Sequence, residues 1–268
     1  MTCGTAARTR GDPVTGAATG RRRSVGSAVC GRYTNSPTRA QLAGAFPQVA
    51  ALAGDVGFER FNVAPTDEVI ALRAGHDGCE ATRLHWGLIP HWADDRRIAS
   101  RLLNARSETV TSKPAFRELV QRAASRCLVL ADGYYEWLRP ESPRAPRQPM
   151  HYALTDGRPF AFAGLWTTWR DPAGTPVHTC TILTTAANAI AAPVHDRMPV
   201  ILADAARWAA WLDPALDGDE IWPLLAPLPD ELLRVAPANP LVNSVRNEGP
   251  QLLELPADEP MLAAPTLF

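Results

Sequence analysis

Three side chains in this chain of 268 residues have the chemistry needed for nucleophilic attack and proton transfer. Cys30 supplies a thiol, Glu136 a carboxyl group shortly after an apolar run, and His195 an imidazole next to Asp196. A thiolate attacks electrophilic carbon, and imidazole or carboxyl groups move the protons that such reactions require. Each group also has a structural interpretation, because most single cysteines are inert and a His–Asp pair often only stabilises a fold. Spacing alone leaves both interpretations open.

Six short polar motifs in apolar surroundings contain or accompany these residues: Cys30–Tyr33, Phe61–Thr66, Trp86–Trp92, Asn104–Glu108, Gly133–Trp137 and His195–Pro199. Taken singly, each motif is weak. An arginine is by default a surface ion-pair partner worth less than about 1 kcal/mol, and a tryptophan is by default a core residue. No phosphate-binding P-loop, dinucleotide-binding glycine motif, HExxH zinc motif or GxSxG nucleophile motif occurs. The chemistry therefore has to come from the six motifs together.

The composition is that of an ordinary globular chain. Hydrophobic residues make up 46% of the sequence, the formal net charge is −1, and no apolar run approaches the ~18–20 residues of a membrane span. The odd cysteine count and the absence of CxxC pairs argue against a disulfide framework or a zinc site. We therefore expect no metal or organic cofactor, and a reducing cytoplasmic environment. Three cysteines are expected to be small core residues: Cys79, Cys127 and Cys180.

The two ends of the chain differ in composition from the rest. Residues 1–29 contain five arginines, one acidic residue and almost no large apolar residue, so this head is expected to be disordered. It has no apolar signal-peptide core, although an arginine-rich, acid-poor head also fits a transit peptide. Residues 256–268 are rich in proline and are predicted to be a loose tail. Residues 30–255 contain no long linker and are predicted to form one domain.

Hydrophobic patterns predict strands and helices without regular βαβ alternation, which favours an α+β fold. Helices are predicted over 36–46, over 113–123 and after an Asp204 cap. Strands are predicted over 69–73 and 82–86, joined by a hairpin, and over 127–131, 134–137, 160–166 and 180–185. We expect a single compact domain of mixed, mainly antiparallel sheets with flanking helices.

Taken together and in this order, the motifs resemble those of the SOS response-associated peptidase (SRAP) family, whose members shield abasic sites in single-stranded DNA. The family patterns are C-G-R-[FY], [FY]-N-x-A-P-T, W-G-L-[IV]-P-x-W, N-A-R-x-E, G-[FY]-Y-E-W and H-x-R-M-P. The likeness runs from Cys30 to about Glu254 and includes Val242–Asn247. Six motifs in family order make a specific signal, which implies the family's fold and its peptidase- or lyase-like crosslinking activity.

The resemblance implies a covalent mechanism at Cys30. In the family this cysteine is the first residue of the mature chain, and its α-amine attacks the open-chain aldehyde of an abasic deoxyribose to form a Schiff base. Its thiol then closes a thiazolidine ring, which leaves a stable DNA–protein crosslink. The chemistry is coherent because an α-amine with a pKa of about 7.7–8.0 is partly neutral at pH 7. Only an N-terminal cysteine offers amine and thiol on adjacent carbons.

Matched positions give the other site residues their implied roles. His195 would move a proton at the sugar oxygen during ring opening, and Glu136 would hydrogen-bond the amine and shuttle its proton. Asn62 would orient the imine and the sugar hydroxyl. Flanking phosphates and bases would be bound by four polar residues and two tryptophans: Arg32, Asn104, Arg106, Arg197, Trp86 and Trp92. The implied partner is single-stranded DNA with an abasic site, bound by a monomer.

One departure from the family lies at the amino terminus. With 29 residues ahead of it, Cys30 has an amide nitrogen, which cannot form an imine. Translation from a GUG codon read here as Val29, followed by methionine removal, would expose the amine. The arginine-rich composition, with Lys113 as the single lysine, fits the GC-rich genomes in which such starts occur. Self-cleavage between Val29 and Cys30 by Cys30, Glu136 and His195 is the less favoured alternative.

Two other functions remain open on the residues. A dedicated cysteine peptidase would use Cys30 as a thiolate and His195 as a base, and would act on other proteins with the head retained. A non-catalytic module for single-stranded nucleic acid would bind reversibly, in a salt-sensitive way and without any need for Glu136.

Overall fold

The computed structural model of the chain describes residues 30–75, 78–140 and 146–255. The predicted head (1–29) and tail (256–268) lie outside these residues. Two β-sheets with short helices on their outer sides make up the described part, which confirms the predicted α+β class. No helix within the described ranges is long and apolar enough to cross a membrane.

Thirteen strands and four α-helices lie in the described residues. The strands are β1 (Tyr33–Asn35), β2 (Arg60–Val63), β3 (Glu68–Gly75), β4 (Gly78–Trp86), β5 (Asn104–Arg106), β6 (Arg126–Ala131), β7 (Gly133–Leu138), β8 (Gln148–Leu154), β9 (Phe160–Arg170), β10 (Pro176–Ala186), β11 (Arg197–Pro199), β12 (Ile201–Leu202) and β13 (Leu233–Pro237). The helices are α1 (Arg39–Ala45), α2 (Arg117–Gln121), α3 (Ala205–Leu212) and α4 (Gly218–Ile221).

A five-stranded antiparallel sheet contains Glu136, and its strand β1 begins shortly after Cys30. Its strand order is β13-β8-β7-β1-β2, which places β7 at the centre. Tyr33 of β1 pairs with Tyr134 of β7, which in turn pairs with Tyr152 of β8. Because side chains alternate between the two faces of a strand, Tyr134 and Glu136 lie on the same face. This face packs on the second sheet, where Phe162 of β9 meets Tyr134 edge to face.

The edges of this sheet are β13 and β2. At β2, the main-chain N–H of Phe61 donates to one oxygen of Glu248, and Arg60 forms an ion pair with the other oxygen at 2.9 Å. At the other edge, β13 ends on Pro237, which has no N–H to donate. At β2 a side chain therefore uses a main-chain N–H group that would otherwise be free at the sheet edge. At β13 a proline removes such a group.

The second sheet closes on itself. Strands β3, β4, β10, β9 and β6 pair in a ring, in which only the β4–β10 pair is parallel. Strands β5 and β11 extend the sheet at the far end of β10, and β12 attaches to β9. In β10, Thr184 pairs with Arg106 of β5 and with Pro199 of β11. The long strand β10 thereby brings two distant motifs next to each other.

The predicted helices are only partly confirmed. Thr38 and Asp204 cap the first turns of α1 and α3 with their side chains, and both helices form where the sequence indicates. The prediction of a helix over 113–123 is too long, because α2 covers only Arg117–Gln121. The residues before α2 form consecutive turns, and Arg122 after it is extended.

The predicted strands are all present, and β9 and β10 extend beyond their predicted ends. One expectation about the core is wrong. Cys79 lies near the end of the β3–β4 hairpin, opposite Ala74, and is exposed there. Cys127 and Cys180, on central strands of the ring, are fully buried as expected.

Candidate active site

Cys30 and Glu136 meet where the chain enters β1 beside the middle of β7. Cys30 occupies a bend with a φ of 47°, a left-handed conformation that few non-glycine residues adopt. Its main-chain nitrogen donates a hydrogen bond to Oε1 of Glu136 over 2.5 Å. Both residues are buried, with Cys30 0% and Glu136 5% exposed. The bend therefore directs the nitrogen of Cys30 at a buried carboxyl group.

The surroundings of this pair change the proton affinity of both side chains. Burial raises the pKa of Glu136 to about 7, although hydrogen bonds from the main chain of Cys30 and Trp137 oppose the shift. Burial and the charge of Glu136 raise the pKa of the Cys30 thiol well above its usual value. At neutral pH the carboxyl group exists in both protonation states while the thiol keeps its proton. Such a carboxyl group can accept a proton and return it.

Asn62 and Asn104 lie at different places relative to Cys30. Asn104 directs its amide nitrogen to the carbonyl oxygen of Cys30 over 3.5 Å. Asn62 is 1% exposed, and its amide donates to two carbonyl oxygens of residues 240–247 (the site loop) over 3.0 and 2.8 Å. Its Oδ1 accepts from Arg32 over 2.7 Å. These bonds occupy the polar atoms of Asn62, and its contact with the imine stays a prediction; Asn104 is the asparagine that faces Cys30.

Arg32 connects β1 to the site loop. Its Nη1 donates to Oδ1 of Asn62 and, over 2.9 Å, to the carbonyl oxygen of Val242. The guanidinium lies 5.7 Å from the ring centre of Trp137, which donates its Nε1–H to Oδ1 of Asn243 over 2.6 Å. Arg32 therefore positions the loop, and its contact with a DNA phosphate stays a prediction.

His195 lies between β10 and β11. Its Nδ1 accepts from the main-chain N–H of Arg197 over 3.1 Å and lies 3.0 Å from Oδ1 of Asp196. Burial lowers the pKa of His195; Asp196 opposes this shift, while Arg139, Arg197 and Arg106 reinforce it. The lowered pKa keeps the imidazole mainly neutral at pH 7.

Arg139 is a residue near this histidine that sequence reasoning missed. It lies three positions after Glu136, is exposed, and acts electrostatically on His195 together with the exposed Arg106. The G-[FY]-Y-E-W pattern ends at Trp137, so only closeness in sequence to Glu136 could have drawn attention to it. Among the described residues, no group of three His, Cys, Asp or Glu side chains could hold a metal ion.

Arg197 is held by hydrogen bonds within the fold, and its contact with a phosphate stays a prediction. The residue is only 8% exposed. Its Nη1 donates to Oε1 of Glu108 over 2.6 Å, and its Nη2 donates to the carbonyl oxygen of Thr184 over 2.7 Å. These bonds hold β11 against β10 and the Asn104–Glu108 motif, so the guanidinium is used within the fold.

The two tryptophans predicted to stack on bases differ in their exposure to solvent. Trp86 is 0% exposed, packs against Tyr33 at 5.3 Å between ring centres, and donates its Nε1–H to the carbonyl oxygen of Leu103 over 3.0 Å. It has no free ring face in this structure and packs as a core residue, and its contact with DNA stays a prediction. Trp92 is 52% exposed. Its stacking on a base stays a prediction, as does the phosphate contact of the exposed Arg106.

The fold has a closed ring of strands and a five-stranded sheet, and the Cys30–Glu136 pair lies next to that sheet. We compared this arrangement and the sequence with known protein families. The family model of the SOS response associated peptidase (SRAP) matches residues 29–245. The chain therefore belongs to the SRAP family, as its motifs predicted. The solved structure of a Bacteroides thetaiotaomicron protein superposes with a TM-score of 0.72 at 25% sequence identity, over 85% of this chain and 100% of that one.

Several relatives of the chain are named abasic site processing proteins. The abasic site processing protein YoqW of Bacillus subtilis strain 168 is 40% identical over 195 residues, which cover 72% of this chain and 85% of that protein. The abasic site processing protein YedK of Escherichia coli K12 is 29% identical over 238 residues, which cover 84% of this chain and 99% of that protein. The likeness extends to a vertebrate, since the abasic site processing protein HMCES of Gallus gallus is 31% identical over 190 residues.

Proposed function

We propose that the chain recognises abasic sites in single-stranded DNA and links to them covalently through Cys30, as a thiazolidine. The observation that carries the proposal is the 2.5 Å hydrogen bond between the nitrogen of Cys30 and the buried carboxyl group of Glu136. The name shared by the relatives supports the class of substrate. The reaction uses an amine, a thiol and proton-transfer groups; the site offers the thiol and the proton-transfer groups, and the amine is available once Cys30 is the first residue of the chain.

The reaction has two bond-forming steps at the aldehyde carbon of the ring-opened sugar. The free amine of Cys30 adds to this carbon, and the carbinolamine that results loses water to give an imine. Glu136 accepts the proton that the nitrogen loses and returns it to the departing hydroxyl group. The Cys30 thiol then adds to the imine carbon, its proton passes to the nitrogen, and the ring closes. An aldehyde and an aminothiol thus give a thiazolidine and one water.

His195 and Asn104 support these steps. The neutral imidazole of His195 moves a proton at the sugar during ring opening, for which a pKa below neutrality is suitable. The amide of Asn104, which faces the carbonyl group of Cys30, keeps the cysteine in the reactive orientation. We expect two exposed cations, Arg106 and Arg139, which act electrostatically on His195, to bind phosphates beside the lesion.

The proposal requires a free α-amine on Cys30. Translation from Val29 with methionine removal, or cleavage of the bond between Val29 and Cys30, would supply it. The start of the family match at residue 29 supports the first route. The left-handed φ of 47° at Cys30 supports the second, since a strained junction is easier to break.

The competing peptidase function is disfavoured by the state of the thiol. A peptidase acting on other proteins needs the thiolate of Cys30 as its nucleophile. Burial and the adjacent Glu136 raise the pKa of this thiol, so the thiolate is scarce at neutral pH. The thiazolidine route does not share this need, because the amine attacks first and the thiol adds only to an activated imine.

The decisive experiment compares two proteins that differ by one residue. One is released from a fusion so that Cys30 is its first residue, and the other keeps a single glycine ahead of Cys30. Each is incubated with abasic single-stranded DNA and run on a denaturing gel. We expect a heat-stable adduct only from the protein with the free Cys30 amine, and none from its Cys30→Ser variant.

Each other result has a defined meaning. A stable adduct from the glycine-extended protein or from Cys30→Ser would contradict the ring-closure mechanism. Reversible binding without any adduct would favour the non-catalytic module. Intact-mass analysis of protein from the native host should show a chain that begins at Cys30, and a dominant species that retains residues 1–29 would count against the crosslinking function.

A further inference from the structure

Two buried tyrosines lie beside the Cys30–Glu136 pair and have no part in the reaction described so far. Tyr134 on β7 and Tyr152 on β8 are direct cross-strand partners. Both are 0% exposed, and their rings stack with centres 4.7 Å apart and planes inclined by 11°. They share one hydrophobic cluster with Cys30.

The hydroxyl groups of this pair are unexplained by packing. Both are buried, and neither has a hydrogen-bond partner among the described residues. A buried polar group without a partner costs about 1–3 kcal/mol, and native proteins rarely tolerate one. Phenylalanine would fill the same space without this cost, and the family pattern G-[FY]-Y-E-W accepts it at the position of Tyr134. Two such hydroxyls side by side therefore indicate a polar ligand between them.

The pair lies on the same side of the sheet as the catalytic carboxyl group. Tyr134 and Glu136 are two positions apart on β7, and Tyr152 is two positions from Met150, the partner of Glu136 on β8. The electrostatics agree with this placement, because the charge of Glu136 contributes to the raised pKa of both tyrosines. Burial raises these pKa values further, so both hydroxyls remain hydrogen-bond donors.

The geometry of the pair suits one water molecule. The two side chains leave the same face of adjacent strands, and their rings lie nearly parallel with centres 4.7 Å apart. A water that accepts from two hydroxyls at about 2.7–2.8 Å each spans such a gap. It then has both of its own protons left to donate, and an adjacent carboxylate is the strongest acceptor available.

We propose that Tyr134 and Tyr152 are positioning residues for Glu136, whose hydroxyls bind one buried water molecule that donates a hydrogen bond to the Glu136 carboxylate. This inference rests on the proposed function in one respect, namely that Glu136 transfers the proton. The water stabilises the ionised carboxyl group and opposes the effect of burial. It therefore keeps Glu136 able to accept a proton from the Cys30 amine near neutral pH.

Other titratable groups face Glu136 from the elements packed around it. The segment before β1 contributes Cys30, whose main-chain nitrogen bonds to the Glu136 carboxyl group and whose thiol is affected by its charge. Strands β7 and β8 contribute Tyr134 and Tyr152 themselves. Tyr33, the next tyrosine in the row, provides a matched control. It is buried to 1% exposure on the same face. Its electrostatic neighbours do not include Glu136; they are Cys180, Arg60, Cys30 and Asp67.

The test measures the titration of Glu136 directly, without DNA. Protein labelled with 13C-glutamate is followed by NMR from pH 4 to 9, and the Glu136 carboxyl signal is assigned by its loss in Glu136→Gln. Removing a hydroxyl by Tyr134→Phe or Tyr152→Phe should raise the titration midpoint by about 0.5–1 pH unit, because the carboxylate loses a hydrogen bond. Tyr33→Phe should leave the midpoint unchanged.

The same variants, prepared with Cys30 as the first residue, give an independent readout. The acid limb of the pH profile for crosslinking should move to higher pH in Tyr134→Phe and Tyr152→Phe and stay in place in Tyr33→Phe. Unchanged midpoints in the first two variants, or an equal shift in all three, would overturn the inference. Loss of crosslinking by the unsubstituted protein would instead count against the proposed function, and the NMR titration would still decide this one.

Discussion

The site contains two carboxyl groups in opposite environments. Glu136 is 5% exposed, bonds to a main-chain nitrogen and forms no ion pair within the described part of the chain, and burial raises its pKa to about 7. The side chain of Glu108 is 50% exposed and accepts from Arg197 over 2.6 Å, which lowers its pKa. Both residues belong to the family motifs. Only the first carboxyl group is able to exchange protons near neutral pH, while the second is a fixed anion that holds two strands together.

Other residues of the same type also differ in their environment, although the family motifs contain both members of each pair. Asn62 uses its polar atoms on Arg32 and the site loop, whereas Asn104 faces Cys30. Trp86 is enclosed, and Trp92 is half exposed. A sequence motif thus does not distinguish residues that stabilise the fold around the site from residues that face Cys30 or the solvent. The difference lies in which groups the polar atoms contact and in whether a ring face is exposed.

The largest expected effect comes from exchanging each carboxyl group for its amide. In protein that begins at Cys30, Glu136→Gln should slow adduct formation by about 10²–10⁴-fold, because the amide cannot carry the proton. Glu108→Gln should change the rate by less than about tenfold. Single-turnover gel assays at pH 7 measure both. Equal losses in the two variants would show that the contrast between the two environments has no catalytic meaning.

The second effect is on stability and has opposite pH dependence for the two groups. The raised pKa of Glu136 means that the folded full-length chain holds this proton more tightly than the unfolded chain, so stability is lost as pH rises from 4.5 to about 7. Glu136→Gln should therefore be more stable by about 3 kcal/mol at pH 8, a gain that disappears below pH ~4. Glu108 has a lowered pKa, so its contribution is present at pH 8 and is lost on acidification. Urea unfolding at the two pH values tests both signs.

The two asparagines should separate stability from activity. Asn62→Ala removes hydrogen bonds to Arg32 and the site loop and should cost about 2–3 kcal/mol of unfolding free energy. Asn104→Ala should leave most of the stability intact but slow crosslinking about tenfold, because Cys30 loses an orienting contact. Thermal unfolding and the gel assay measure the two effects. The reverse pattern would return the catalytic role to Asn62.

The smallest expected effect concerns the tryptophans. Trp92→Ala should weaken binding of single-stranded DNA by about 5–10-fold with little change in stability, because one stacked base is worth about 1–3 kcal/mol. Fluorescence anisotropy with a tetrahydrofuran abasic analogue, which has no aldehyde, isolates binding from crosslinking. Trp86→Ala should instead destabilise the fold by about 3–5 kcal/mol. Unchanged affinity in Trp92→Ala would remove this residue from the DNA surface.

Local features of the fold were predictable from the sequence. Strand β6 is a continuous apolar run, the β3–β4 hairpin is flanked by glycines, and α1 and α3 start at residues whose side chains cap a helix. These signals lie within a few residues of the element that they specify. Such local signals do not fix the ends of an element. The apolar pattern predicts a helix over 113–123, but the backbone before Arg117 forms turns.

Features that depend on distant contacts were not predictable in this way. The ring closes through a parallel pairing between β4 and β10, and no local pattern specifies a partner almost a hundred residues away. The burial of Arg197 depends on another distant contact, since the pairing of β5 with β10 brings Glu108 to its guanidinium. The Cys30–Glu136 pair was identified through the family motifs, whereas the carboxyl pKa near 7 depends on burial that only the packed sheets create.

The covered edge of β2 has a consequence for behaviour at high protein concentration. A bare strand edge is a template on which other chains add strands, the first step towards fibrous aggregates. Glu248 occupies the N–H of Phe61 and neutralises Arg60, and Pro237 ends the opposite edge. The sheet next to Cys30 therefore has a blocked hydrogen-bonding position at each of its two edges, which disfavours self-association through added strands.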